Sequence, residues 1–193
     1  MNIAVDIDGT VLDFSNKFTN WMIKRGTPIL HSQIVENFDS YVIYEKQCFD
    51  ECFDMPTYPE APGVLLNLAI SHSMSFLTKR GNSCVPEISQ ALKELTIKWQ
   101  QKNYPYFGGV FFAQNKEEYF KDKMFDLMIE DDASNSNKIA EYAPVLLLSR
   151  SWNHGVELHP NIAVIENWKE IEMVINNFDK FYNVEKGCFK HAS

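Results

Sequence analysis

A short apolar run that ends in two acids and a glycine constrains this chain more than any other stretch. Ile3-Ala4-Val5 has the composition of a buried strand, and Asp6-Ile7-Asp8-Gly9-Thr10 follows without a break. Side chains alternate along a strand, so Asp6 and Asp8 begin on the same side of the backbone. Gly9 permits a sharp turn at the carboxyl end of the strand, where open α/β sheets bind their ligands. Two acids this close repel each other unless one holds a proton or a cation lies between them. Oxygen donors at such an edge suit Mg²⁺, which takes one or two carboxylates together with a substrate phosphate. There Asp6 is a candidate nucleophile, since a carboxylate can form an aspartyl-phosphate. Asp8 is a candidate general acid and base. The competing reading is plain turn chemistry, because Asp and Gly also close edge strands.

The remaining chain repeats the strand signal. Apolar runs lie at 73–77, leading into Thr78-Lys79-Arg80-Gly81, and at 110–113, leading into Gln114-Asn115-Lys116. Others lie at 127–129, leading into Glu130-Asp131-Asp132, at 144–149, and, shorter, at 162–165. Helical spacing falls between them: from Pro62-Gly63 through Leu68, from Val85-Pro86 through Trp99, from Lys116 to Met124, and from Trp168 to Phe178. Strands alternating with helices predict an α/β fold, a doubly wound and mostly parallel sheet with helices on both faces. Residues 14–58 break the pattern. Phe14, Phe18, Trp21 and Met22 have helical spacing as far as Gly26, residues 27–60 are irregular and aromatic-rich, with Phe38, Tyr41, Tyr44, Phe49, Phe53 and Tyr58, and the whole reads as a small helical insert after the first strand. The expected division is a core of 1–13 and 59–180, the insert at 14–58, and a polar tail at 181–193.

At 193 residues the chain can bury a full core, and 45% hydrophobic content is that of a packed protein. A net charge of -8 argues against polymeric nucleic acid or an anionic membrane as partner. It does not oppose a small phosphorylated substrate, because a metal reverses the sign locally. Cys48, Cys52, Cys84 and Cys188 form no C-x-x-C pair and read as reduced, semi-buried thiols. Without a leader pattern or an 18-residue apolar run, the expected location is cytoplasmic.

Asp6-Ile7-Asp8-Gly9-Thr10 resembles the first motif (D-x-D-G-T/V) of the haloacid dehalogenase-like (HAD) phosphatase superfamily. Its continuation through Asp13-Phe14 is similar to the opening of the 5'(3')-deoxyribonucleotidase branch. The resemblance implies that the insert is a cap of the C1 type, with Phe14 against the substrate. It implies that Thr78 is the strand-end hydroxyl of the second motif, binding the phosphate, with Lys79 beside it. The branch usually has T-S-P there, so Lys79-Arg80 is a departure. Lys116 fits the lysine that holds nucleophile and phosphoryl group together, with Lys121 as the alternative and Asn115 as a helix cap. Glu130-Asp131 aligns with the acidic pair of the fourth motif, and Asp132 reads as a helix N-terminal acid.

Mg²⁺ would be held by Asp6, the backbone carbonyl of Asp8, and Asp131, with Glu130 alongside through water or Lys116. In the loop at 150–154, Arg150 or Asn153 reads as structural or as reaching the substrate. The expected function is a Mg²⁺-dependent phosphomonoester hydrolase working through an aspartyl-phosphate, first of all a 5'-nucleotidase on (deoxy)nucleoside monophosphates. A phosphatase for another small phosphorylated metabolite is the alternative. A non-catalytic phosphate-binding or partner-binding domain is a third reading.

Overall fold

The structure, a computed structural model, describes residues 1–13, 24, 57–82 and 86–190. Phe14, Cys48, Cys52, Cys84 and nearly all of the expected insert lie outside the described residues. Within them the chain runs β1 (Asn2–Val5), α1 (Ala61–Ala69), β2 (Ser73–Thr78), α2 (Pro86–Asn103), β3 (Val110–Phe112) and α3 (Glu117–Lys121). It continues β4 (Leu127–Glu130), α4 (Ala133–Ala140), β5 (Val145–Leu148), β6 (Ile162–Ile165), α5 (Trp168–Asn176), α6 (Phe178–Phe181), β7 (Tyr182–Asn183) and β8 (Cys188–Phe189).

β1 to β6 form one sheet in the order β3-β2-β1-β4-β5-β6, and each neighbouring pair is parallel. This is the expected doubly wound α/β architecture. β1 is central because it is buried on both faces. Ile3 and Val5 enter one apolar core with Leu127, Ile129, Leu146 and Leu148, while Ala4 enters the other with Met128, Val145 and Leu147. A strand covered on both faces reads as a continuous apolar run, which is why these strands stand out in the sequence. The first core is closed by α1 (Val64, Leu65, Leu68), α2 (Ile88, Leu92, Trp99) and α5 (Trp168, Ile171, Val174). The second is closed by Phe120 of α3 and by Ile139 and Ala140 of α4. Register sets the site: Val5 lies opposite both Phe76 of β2 and Ile129 of β4, so the chain leaves the three central strands at one level.

Two differences from expectation have physical causes. α5 stops at Asn176 rather than Phe178, because Asn177 leaves the helical region (φ -124°) and its side-chain amide bonds the Met173 carbonyl at 3.0 Å. Residues 181–193 were expected to be a polar tail, yet β7 and β8 pair antiparallel there. Three aromatics hold that hairpin: the Tyr182 ring is 4.9 Å from Phe178 and 5.2 Å from Phe189, which is buried. They are spaced too irregularly to register as periodicity.

Leu12 and Thr57 form an antiparallel bridge, and the Tyr58 N–H donates to the Val11 carbonyl at 3.0 Å. The chain therefore leaves and rejoins the core at one point, beside the Asp6–Thr10 loop. No helix among the described residues is long and apolar enough to cross a membrane.

Phe76 is fully buried in the first core, with ring centres of Trp99, Tyr104 and Phe107 at 5.3, 5.3 and 4.5 Å. Phe76→Ala should lower unfolding free energy by about 3–5 kcal/mol, read from the urea midpoint at unchanged m-value.

Candidate active site

The Asp6 N–H donates to the Ile129 carbonyl at 3.0 Å, extending the β1–β4 ladder by one residue before the chain turns. The turn is tight: the Ile7 carbonyl accepts from both Val11 and Leu12, and Gly9 N–H donates to the Leu12 carbonyl. Gly9 has φ +81° and packs directly on the Asp131 carboxylate, so that even a Cβ there would collide with it. Glycine is needed both for the conformation and for the close approach.

Three buried carboxylates converge at this corner. Asp6, Glu130 and Asp131 offer oxygens that all lie within 4.8 Å of one another. Lys116, only 2% exposed, reaches in from the start of α3. Its Nζ donates to Asp6 Oδ1 at 2.5 Å and to both Glu130 oxygens at 3.1 and 3.2 Å. Asn135 of α4 donates its side-chain amide to Glu130 Oε1 at 2.9 Å. Asp131 accepts from Thr10 Oγ1 at 2.8 Å and from Trp152 Nε1 at 3.0 Å. Asn153 bonds the carbonyls of Asp131 and Leu148, both at 2.8 Å, pinning the loop after β5 to the strand ends. Arg150 donates to the Gly9 carbonyl at 3.0 Å, and its guanidinium lies 4.1 Å from the centre of the Tyr58 ring.

Charge governs this corner. Burial, reinforced by neighbouring acids, pushes the Asp6 carboxyl up and the Glu130 carboxyl well up, while Lys116 opposes both shifts. Burial and the Asp6 charge push Asp131 up to about 7, against the Thr10 hydrogen bond. Burial acts to lower the Lys116 pKa, but Asp6 and Glu130 outweigh it and keep the ammonium charged. Three carboxylates against one ammonium leave two negative charges if all ionise. An all-oxygen donor set with that deficit fits a hard divalent cation of the Mg²⁺ type.

No protein-family model matches the sequence, and no curated protein matches it either. Solved structures do. A haloacid dehalogenase-like hydrolase, SP0104 from Streptococcus pneumoniae, superposes with TM-score 0.59 at 15% identity, covering 90% of this chain and 97% of its own. A haloacid dehalogenase-like family hydrolase from Xanthomonas campestris gives TM-score 0.59 at 11% identity, covering 93% and 96%. YfnB from Bacillus subtilis, described as a HAD hydrolase and solved bound to magnesium, gives TM-score 0.55 at 13% identity, covering 91% and 98%. The fold is the HAD fold.

On this HAD fold Asp6, Lys116, Glu130 and Asp131 stand together. Glu130 meets Lys116 directly, with no need of a bridging water. Thr78 is buried at the end of β2, where its Oγ1 accepts from the Arg80 N–H at 3.1 Å. The Asp8 carboxylate turns to Arg80 and does not join the three acids, so a metal-binding role for Asp8 rests on its backbone carbonyl. Lys79 reaches Asn135 Oδ1 at 2.6 Å. Lys121 is exposed at the far end of α3. Asp132 caps α4, accepting from the Asn135 N–H at 2.7 Å, whereas Asn115 does not cap α3 and instead donates to the Glu118 side chain. Thr10, Trp152, Asn135 and the inward turn of Arg80 were not read from the sequence as parts of the site. Thr10 and Arg80 stand inside motifs, while Trp152 and Asn135 carry no local signal.

The raised Asp131 pKa has a measurable sign. A carboxyl at about 7 when folded and about 4 when unfolded adds stability below pH ~4 and loses it as pH rises through about 7. In EDTA, the calorimetric unfolding temperature should therefore rise as pH falls from about 8 to about 6, and rise less steeply in Asp131→Asn. Equal slopes in the two proteins would mean that Asp131 titrates normally.

Proposed function

We propose that the protein is a Mg²⁺-dependent phosphomonoester hydrolase that works through an aspartyl-phosphate on Asp6, with (deoxy)nucleoside monophosphates as its substrate class. The observation that carries the reading is the Lys116 ammonium bridging Asp6 and Glu130 from 110 and 14 residues away, with Asp131 alongside. A nucleophilic carboxylate, a fixed cation and a second acid thus share one strand edge. The HAD fold and the magnesium in YfnB support the same chemistry.

Asp6, Asp131 and the backbone carbonyl of Asp8 would hold the cation, since Lys116 and Asn135 already engage both oxygens of Glu130. A bound divalent cation would neutralise phosphoryl oxygens beside the acids, so that an anionic ester can enter. Lys116 fixes Asp6 and, with the Thr78 hydroxyl, orients the phosphoryl group for in-line attack. An Asp6 oxygen bonds to phosphorus while the ester P–O bond breaks, and the leaving oxygen takes a proton from Asp8. Asp8 then accepts a proton from water. That water oxygen bonds to phosphorus, the Asp6–phosphorus bond breaks, and inorganic phosphate leaves. Positioning and charge stabilisation carry most of such a reaction.

The substrate class rests on the similarity at Asp13-Phe14 and on the aromatic content of the 14–58 segment, since a nucleobase offers a π-face for stacking. Lys79-Arg80 in place of Ser-Pro favours a second reading, a phosphatase for another small phosphorylated metabolite.

Release of phosphate from p-nitrophenyl phosphate should require Mg²⁺ and stop in EDTA. Asp6→Asn should abolish turnover, and residual activity above about 1% of wild type would remove Asp6 as nucleophile. Asp8→Asn should slow turnover by about 10²–10⁴-fold, and wild-type rates in that variant would exclude Asp8. Comparing nucleoside monophosphates with sugar phosphates by kcat/KM then decides between the two substrate classes.

A further inference from the structure

Among the described residues, the Asp8–Arg80 pair is the one ion pair at the site that the scheme above leaves without a role. Arg80 holds Asp8 with a two-pronged grip: Nη2 to Oδ1 at 2.5 Å and Nε to Oδ2 at 2.6 Å. The planar guanidinium fork fixes both carboxylate oxygens in its own plane, which a point charge such as lysine cannot do.

Arg80 is the better-anchored partner. Its side chain is 6% exposed, against 25% for Asp8. Its backbone N–H is tied to Thr78 Oγ1. The loop that carries it is closed by Asn82 N–H to the Lys79 carbonyl at 3.2 Å and by the Asn82 side chain to the Ala113 carbonyl at 3.0 Å. Gly81, at φ +75°, packs against Lys93 and the Ser89 carbonyl, and the Ser89 hydroxyl donates to the Gly81 carbonyl. Asp8 projects from a glycine turn with two rotatable side-chain bonds, so it takes its place from the arginine. The same loop thus supplies a hydroxyl for the phosphate and a clamp for the acid.

We propose that Arg80 is a positioning residue: by holding the Asp8 side chain in place, it sets the geometry in which Asp8, protonated in the water step of the preceding turnover, hands that proton to the leaving oxygen, and so decides how well esters of poor leaving groups are cleaved. The proposal rests on the phosphatase reading. Its consequence is selective. An alkyl phosphate leaves as a strongly basic alkoxide and needs the proton, whereas an aryl phosphate such as p-nitrophenyl phosphate leaves as a stabilised phenolate and needs it little. An arginine that merely bound the phosphate would serve both esters alike.

The test compares kcat/KM, which reports the steps through departure of the leaving group and not the shared hydrolysis of the phosphoenzyme, for glycerol 2-phosphate and p-nitrophenyl phosphate, with Mg²⁺, in wild type, Arg80→Lys, Asp8→Asn and the double variant. In Arg80→Lys, which keeps the charge but not the fork, kcat/KM for the alkyl ester should fall at least about tenfold further than kcat/KM for the aryl ester, within the range general acid catalysis supplies. In the Asp8→Asn background the same change should add no further selective loss, because the two residues act as one unit. Equal losses in kcat/KM for both esters would overturn the positioning role and make Arg80 a phosphate contact. Selective loss persisting without Asp8 would overturn it too. If Arg80→Lys fails to fold, as judged by near-UV circular dichroism, Arg80→Gln is read in its place, with the same selective loss in kcat/KM expected and equal losses overturning the proposal. If wild type cleaves neither ester, the phosphatase reading itself fails and takes this proposal with it.

Discussion

Burying three carboxylates around one ammonium is the constraint on which the rest of this structure depends. Each ion taken out of water loses several kcal/mol of solvation, and an ion pair recovers that only with good geometry and further hydrogen bonds. At the ends of β1 and β4 the recovery is incomplete: Lys116 answers two acids, while the Asp131 carboxylate has, among the described residues, only the neutral donors Thr10 and Trp152 as hydrogen-bond partners. The upward shifts of all three acids express that shortfall. A site in this condition is prepared to accept positive charge, and the sheet below it, with its two apolar cores, keeps the acids from swinging apart into water.

The fold was legible because its strands are covered on both sides. Ile3-Ala4-Val5, Leu127-Met128-Ile129 and Val145-Leu146-Leu147-Leu148 are unbroken apolar runs of strand length, as strands buried on both faces require. The hairpin of β7 and β8 was illegible for the opposite reason. Two paired residues on each side give no alternation to detect, and its stability comes from rings on separate elements. The site divides in the same way. Asp6, Thr78, Lys116 and Asp131 were readable as strand-edge residues because each ends or directly follows a strand or opens a helix, positions at which the backbone alone fixes the direction. Arg80 meets Asp8 across 72 residues, and Trp152 meets Asp131 across 21. Both contacts depend on long side chains whose rotamers only the folded neighbourhood selects. Asn115 shows the limit of local rules: it stands one residue before Lys116 and has the right chemistry for a cap, but its amide bonds the Glu118 side chain instead.

Identities of 15% and 11% to structures sharing the fold are consistent with this division. A doubly wound sheet asks only for apolar residues of suitable volume within its strands, which many sequences satisfy. The strict demands fall on a few strand-end positions: an acid after β1, a glycine that can lie against another carboxylate, and a lysine long enough to cross to the neighbouring strand. Specific chemistry can therefore sit on a tolerant frame.

The bridge between Leu12 and Thr57 makes residues 13–56 a closed excursion. Loop closure depends only weakly on length, by about 0.6 kcal/mol for each doubling. A segment whose two ends are already stitched together can be lengthened, shortened or exchanged without shifting the register of any strand. The segment between those two ends can then diverge in length and sequence at a different pace from the strand edges that flank it.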